Sequence, residues 1–298
     1  MVNEIPSIQI TISDAWLDYE LVDSGAGMKL ERFGKFTFIR PEAQAVWQKS
    51  LSPGIWDKAD AVFKSTGEEN GGHWIYKTKL PERWPVEYHG IRSWIQPAAS
   101  RHLGIFPEQA EGWDWMMDLI QKSSKPFKVL NLFGYTGMAS LAAAAAGAQV
   151  THVDASKKAI QSARENQALS GLLEKPIRWI MDDALKFTQR EIRRGSQYDG
   201  IILDPPKFGR GPKGEVWEFF ELLPDLLSAC RSIFSSKPTF LLFTAYAIKS
   251  SPLTLHGAVN EMMHGIPGQL TVGELVTRES SAGRLISNSI YAKWNSIL

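Results

Sequence analysis

"KVLNLFGYTGMASLAAAAAGAQVTHVD", residues 128–154, holds an apolar run, a glycine-bearing turn, a helical alanine run closed by Gly147, and a second apolar run ending on an acid. Two strands joined by a segment of helical length lie parallel, and the helix crosses between them in the right-handed sense. The alternation continues downstream. SKKAIQSARENQALSG reads as a helix capped by Ser156 and ended by Gly171, IRWIM as a strand, ALKFTQREIRRG as a helix and YDGIILD as a strand. EVWEFFELLPDLLSACRSIF then reads as a helix with Pro224 inside it, and PTFLLFTAY as a strand. From about residue 126 the chain is therefore expected to be α/β, a doubly wound, mostly parallel sheet. A last helix, LTLHGAVNEMM, and two β-like runs, QLTVGELVT and SNSIYAKW, are placed to close it with an antiparallel edge.

The upstream half reads differently. Between Tyr19 and about Gln96 lie the short β-type runs YELV, KFTFIR, AVFK, HWIYKT and IRSWIQ, separated by turn clusters at 23–27 and 67–72. This is expected to be a smaller, antiparallel, β-rich module. PEQAEGWDWMMDLIQ, with proline and acids at its start, reads as a connecting helix, which divides the chain into residues 1–106 and 107–298. Eight of the 11 tryptophans precede residue 126, and an aromatic core is favoured over a base-stacking platform.

A chain of 298 residues, 44% hydrophobic with 24 glycines, is an ordinary globular protein. Its formal charge of +1 provides no global field toward nucleic acid or an anionic membrane, so any basic footprint is local. Cys230 is the sole cysteine, which excludes an internal disulfide and fits a reducing compartment, by default the cytoplasm. Neither a signal peptide nor a membrane span is expected, because no apolar run is long enough. The six histidines show no metal-ligand spacing, so no metal is expected.

In sheets of this kind ligands sit at the carboxyl ends of the strands. Four successive strand ends carry unusual residues. Asn131, Phe133, Gly134, Tyr135, Thr136 and Gly137 form the first, with glycines for close backbone approach and a helix N-terminus behind them. A tight structural turn explains this loop as well. Asp154 ends the second strand, followed by Ala155 and Ser156, and is placed to accept from ribose hydroxyls or to cap a helix. Asp182, Asp183 and Ala184 end the third, where an acid and a backbone N–H can hold an adenine edge and one acid can serve as a cap. The fourth ends in Asp204, Pro205, Pro206, Lys207 and Phe208. Two prolines delay the next helix and hold a short extended loop whose carbonyls are expected to stay free. The turn 134–139 lacks the middle glycine of G-x-G-x-x-G, so a nicotinamide dinucleotide fits less well than S-adenosylmethionine.

Through NLFGYTG, the acid of HVDAS, MDDA and LDPPKF, in that order, residues of about 126–298 resemble a class I S-adenosylmethionine-dependent methyltransferase with a Rossmann-like fold. NLFGYTG followed by DPPKFGRG is similar to bacterial large-subunit ribosomal RNA base methyltransferases. The lead-in DSGAGMKLERFGKFTFIRPEAQAVW resembles the β module of a subgroup without a separate RNA-binding domain. The resemblance implies that Phe133, Gly134 and Gly137 border the methionine part of the cofactor, Asp154 the ribose, Asp182 and Asp183 the adenine, and Asp204 to Phe208 the acceptor base. Relatives that form 5-methylcytosine carry a cysteine after the fifth strand, where this chain has Thr244-Ala245-Tyr246. Cys230 lies mid-helix, so a nitrogen or oxygen acceptor is favoured over carbon 5 of a pyrimidine. The basic loop set Lys207, Arg210 and Lys213 is an open candidate for RNA contact. The helix set Lys186, Arg190, Arg193 and Arg194 reads rather as a solvated face. Methylation of a small molecule or protein, and RNA binding without catalysis, remain alternatives.

Overall fold

The structure is a computed structural model in which residues 5–66, 71–97 and 101–297 are described. In chain order the first elements are β1 (Ile8–Ile12), β2 (Tyr19–Gly25), β3 (Met28–Phe33), β4 (Phe36–Pro41), α1 (Pro53–Trp56), β5 (Ala61–Ser65) and β6 (Gly72–Tyr76). Then come β7 (Trp84–Tyr88), β8 (Ile91–Ile95), α2 (Ala110–Gln121), β9 (Lys128–Leu132), α3 (Met138–Ala145), β10 (Gln149–Asp154), α4 (Lys157–Leu169) and β11 (Ile177–Met181). The rest are α5 (Ala184–Arg193), β12 (Gly200–Leu203), β13 (Phe208–Arg210), β14 (Val216–Glu218), α6 (Phe219–Ile233), β15 (Phe240–Ala245), α7 (Pro252–Met262), β16 (Gly268–Arg278) and β17 (Leu285–Ser296). Two compact units result, and they interleave in sequence where the division at 106/107 draws one border. One unit comprises the start of the chain through Thr11, Glu111–Leu275 and Asn288 onward; the other comprises Ile12–Ala110 and Val276–Ser287.

The β-rich unit is built on a five-stranded sheet, β2-β3-β4-β5-β6, with a separate hairpin of β7 and β8. The hairpin turns through His89 (φ 46°) and Gly90 (φ 82°), the left-handed pair that a two-residue turn needs. The expectation of an antiparallel module is corrected at one place: β4 and β5 run parallel, because the long connection through α1 is a crossover and not a hairpin. Residues 67–70 of the second turn cluster lie outside the described residues. Aromatic packing fills this unit. Phe38 stacks on Trp84 at 5.7 Å between centroids, and Trp16, Trp56 and Trp84 are buried with their indole N–H groups bonded to Pro107 O, Asp23 Oδ2 and Phe33 O. Asp23, fully buried, also accepts from Leu51 N, Ser281 Oγ and Arg284, which ties the 276–287 segment into this unit.

In the other unit, β11-β10-β9-β12-β15 form the parallel heart of an eight-stranded sheet that continues through β17 and β16 to β1. The strand β17 pairs antiparallel with β15, as the edge reading expects. All of Gly200–Leu203 and Val129–Leu132 is buried, the signature of strands covered on both faces. Strand order reverses between β9 and β12, so the crevice lies beyond Leu132 and Leu203, which are paired in register. The helix read over 215–234 starts only at Phe219. Val216–Glu218 instead forms β14 and pairs with β13, an outcome of alternation in the stretch V-W-E that buries Trp217 and exposes its neighbours. Among the described residues, no helix is long and apolar enough to cross a membrane.

Candidate active site

The loop after β9 is strained. Phe133 (φ 59°) and Tyr135 (φ 49°) hold left-handed conformations that non-glycine residues rarely adopt, and such outliers concentrate at ligand-binding loops. The end of β10 holds them in place: Gly134 N donates to Val153 O at 3.1 Å and Tyr135 N to Asp154 Oδ2 at 2.8 Å. The two glycines have a different reason from the one read in the sequence. A Cβ on Gly134 would meet the His152 ring at 2.3 Å, and one on Gly137 (φ 89°) would meet Ala163 at 2.9 Å. Packing against the fold itself therefore requires both.

Beneath this loop runs a buried polar chain. Asn131 donates to Ser140 Oγ at 2.9 Å, and Ser140 bonds His152 Nδ1 at 2.9 Å; all three are at most 1% exposed. Burial pushes the His152 pKa down to about 3, so the ring is neutral, and its Nε2 has no hydrogen-bond partner among the described residues. Thr136, also buried, gives its carbonyl to Asn166 Nδ2 at 3.0 Å. The side chain of Asn131 and the backbone of Thr136 thus support the loop from below.

Asp154 joins two turns, Oδ2 accepting from Tyr135 N and Oδ1 from Ser156 N, both at 2.8 Å. Burial pushes its pKa up, against the pull of those two bonds. The helix cap of α4 is Ser156, whose hydroxyl accepts from Ala159 N, so Asp154 is not the cap and each of its oxygens retains capacity for another donor. Ala155 sits half-buried between them. At the third strand end the pair divides as one of the readings allows: Asp183 caps α5 by accepting from Lys186 N at 2.9 Å, while Asp182 pairs with Arg190. Ala184 is buried in the first turn of α5.

At the fourth strand end, Asp204 Oδ1 accepts from the buried Thr244 hydroxyl at 2.7 Å. The expectation of free loop carbonyls is corrected in part. Pro206 O accepts from Trp217 Nε1 at 2.7 Å and Lys207 O from Phe219 N at 3.0 Å, because the β13–β14 hairpin folds back onto the loop. Among the described residues, the Pro205 carbonyl has no intramolecular partner. Strand alternation turns Trp217 inward, against Phe133 at 4.9 Å between ring centroids, and leaves Phe208 49% exposed on the outer face with Arg210. On α5, Lys186 and Arg190 are paired with Glu215 and Asp182, and Arg194 just past its end with Glu191.

Sequence reasoning passed over Thr244, Trp217 and Tyr246 as parts of the site. Tyr135 titrates up to about 12, chiefly through burial, with Tyr246 and Asp154 adding to it, so the end of β15 also faces the first loop. The sequence signal for Thr244 and Tyr246 was their position at the end of a buried strand, and for Trp217 there was none. Among the described residues, no group of three His, Cys, Asp or Glu side chains is placed to hold a metal ion.

Comparison with known proteins identifies the family of this fold. The family model described as S-adenosylmethionine-dependent methyltransferase matches residues 64–235, more than half of the chain. The chain belongs to the S-adenosylmethionine-dependent methyltransferases. It is similar to the S-adenosylmethionine-dependent methyltransferase from Agrobacterium tumefaciens, at 48% identity over 100% of this chain and 97% of that one, with a TM-score of 0.94. The SMU.776 protein, solved with S-adenosylhomocysteine (SAH), shares the fold at 19% identity and a TM-score of 0.72, over 94% of this chain and 76% of that one. The ribosomal RNA large subunit methyltransferase I of Klebsiella pneumoniae (strain 342) is 29% identical over 199 residues, 62% of this chain and 49% of that protein. The methyltransferase described here spans about half the length of the curated relatives it matches.

Proposed function

We propose that this methyltransferase modifies a base of RNA, with large-subunit ribosomal RNA as the acceptor, and that it does so without a cysteine nucleophile. The observation that carries the reading is the loop Asp204–Phe208. Within five residues past the switch point it carries an acid oriented by Thr244, a carbonyl at Pro205 with no intramolecular partner among the described residues, and a half-exposed aromatic ring at Phe208. A planar base with an N–H edge suits this set: Asp204 and the Pro205 carbonyl accept from its edge, and Phe208 stacks on its face. Arg210 and Lys213, on the exposed side of the hairpin, suit the adjoining phosphates. The relatives named as ribosomal RNA methyltransferases support the same class. Such an acceptor puts the protein in the cytoplasm, with the unit that holds Glu111–Leu275 carrying catalysis and the unit built on Ile12–Ala110 an accessory module.

S-adenosylmethionine, when bound, supplies a methyl group on a sulfonium leaving group. The chain's own task is then to align the acceptor and exclude water. In this reading Asp154 accepts from ribose hydroxyls with its spare lone pairs. The loop Asn131–Gly137 borders the methionine part, with Asn131 and Thr136 supporting it from beneath, and Ala155, Ser156 and Asp182–Ala184 border the adenosine. Cys230 is fully buried in α6 and its thiol is pushed well above the usual range, which disfavours thiolate addition.

The test is transfer of labelled methyl groups to ribosomal RNA from a strain lacking the gene, with mass mapping of nucleosides. One base should gain a methyl group and should already carry it in RNA from the parent strain. Label appearing only in protein or small molecules, or SAH binding without any transfer, would reject the reading.

A further inference from the structure

We infer that Trp217 is a positioning residue that couples the cofactor loop to the acceptor loop. The inference rests on the assignment of residues 131–137 and 204–208 made above. Trp217 is 3% exposed and is held at both ends. Its Nε1–H donates to Pro206 O at 2.7 Å, and its ring lies against Phe133, 4.9 Å between centroids at an interplanar angle of 56°. Phe133 is one of the two left-handed non-glycine residues of its loop, and Pro206 stands two residues past Asp204.

Both loops leave neighbouring strands whose last residues, Leu132 and Leu203, are paired. Past that pair the ladder ends in one backbone bond, Asp204 N donating to Leu132 O at 3.4 Å. Beyond it the indole links the two loops, and the hairpin that carries it is itself tied down: Trp217 lies opposite Gly209, Gly211 N donates to Glu215 O at 2.8 Å at the turn, and Glu215 bonds Lys186 of α5 at 2.9 Å. A planar side chain with two rotatable bonds, fixed by packing at one end and by a hydrogen bond at the other, transmits displacement from one loop to the other. Settling of Phe133 around the cofactor therefore sets the Pro206 carbonyl, and with it the Pro205 carbonyl. Misplacement by about 1 Å at such a site costs on the order of 100-fold in rate.

The experiment compares the wild-type protein with Trp217→Phe and Trp217→Leu. Hydrogen–deuterium exchange of the amides of 207–211 is followed with and without saturating SAH, beside calorimetric SAH affinity and single-turnover methyl transfer to the ribosomal RNA of the deletion strain. In the wild type SAH slows exchange of 207–211. Trp217→Phe keeps the ring against Phe133 and loses the N–H, so SAH affinity stays within about twofold, the slowing disappears, and transfer at saturation falls about tenfold or more. Trp217→Leu also removes the ring, and SAH affinity falls about tenfold in addition. Slowing that persists in Trp217→Phe, no slowing in the wild type, or a loss of SAH affinity equal to the loss of transfer in Trp217→Phe overturns the coupling. The exchange measurement uses no acceptor, so it decides the role of Trp217 even where ribosomal RNA proves to be the wrong substrate.

Discussion

The Thr244 hydroxyl donates to Asp204 Oδ1 at 2.7 Å, joining the ends of two adjacent parallel strands. Thr244 is 3% exposed and held in β15, so the bond fixes the direction in which Asp204 presents its carboxylate. Thr244→Val keeps the shape and deletes the donor. It should reduce methyl transfer about tenfold with little change in SAH affinity, at a stability cost of about 1 kcal/mol. Thr244→Ser should restore transfer. Equal rates for Thr244→Val and the wild type would show that the bond has no part in turnover.

Asp154 bonds Tyr135 N and Ser156 N with its two oxygens, so its removal damages two loops at once. Asp154→Ala should weaken S-adenosylmethionine binding by about 1–3 kcal/mol and lower the melting temperature of the free protein. Burial raises the pKa of this carboxyl, so affinity in the wild type should decline with falling pH earlier than for an ordinary aspartate. Calorimetry across pH separates the two effects, and an affinity in Asp154→Ala equal to the wild type would remove Asp154 from the site.

The strand ends were legible because buried parallel strands read as unbroken apolar runs, and the polar residue that stops each run marks the crevice. Asp204 stands at such a stop, while Asp154 and Asp182 end strands that carry polar residues of their own, Thr151 and His152 in β10 and Arg178 in β11. The hairpin of β13 and β14 was not legible, since V-W-E is too short to reveal alternation beside fifteen residues of helical period, and Trp217 was absorbed into that helix. The glycines were legible as necessary but not for the reason that applies. Their missing Cβ atoms face His152 and Ala163, contacts that come from strands and helices distant in sequence. The crossover between β4 and β5 escaped for the same reason, because strand direction follows from where a connection runs and not from local pattern.

His152 gives the protein a defined acid sensitivity. Its pKa is about 3 in the fold, lowered by burial, against about 6.5 when unfolded. Between those values the unfolded state binds the additional proton, so stability falls as pH falls through this window and is unaffected above it. At pH 5 the cost is about 2 kcal/mol relative to neutral pH. His102 shifts in the same direction, to about 4. Glu31, where burial is outweighed by Arg40 and the pKa sits at about 2 against an ordinary 4.5, loses its contribution between those values, so it overlaps only the lower part of the window and adds little at pH 5. Urea unfolding at pH 5 and pH 7.5 should show a smaller difference in His152→Gln than in the wild type. An identical difference in both would contradict the neutral buried imidazole.

Cys230 is buried among the apolar residues of α6 and its thiol is pushed up by burial alone. Cys230→Ala should therefore keep methyl transfer within about twofold, with a stability loss of about 1 kcal/mol from the small volume removed. RNA carrying 5-fluoropyrimidines should form no covalent adduct with the wild type. An adduct mapped to Cys230 by peptide mass would overturn the argument against thiolate chemistry.

Phe208 and Asp204 test whether the Asp-Pro-Pro loop serves the acceptor alone. Phe208 is 49% exposed on the outer face of the hairpin, and Asp204 is oriented from β15, so neither lies among the contacts that hold the cofactor loop in shape. Phe208→Ala and Asp204→Asn should each lower transfer about tenfold or more and leave SAH affinity within about twofold. Pro205→Ala should follow them at a smaller cost, since it loosens the backbone that presents the carbonyl while Pro206 remains anchored to Trp217. The pair of measurements is calorimetric SAH binding and single-turnover transfer to ribosomal RNA. Loss of SAH binding ahead of transfer would move the loop to the cofactor side, and transfer that survives all three substitutions would leave it a structural turn between β12 and the hairpin.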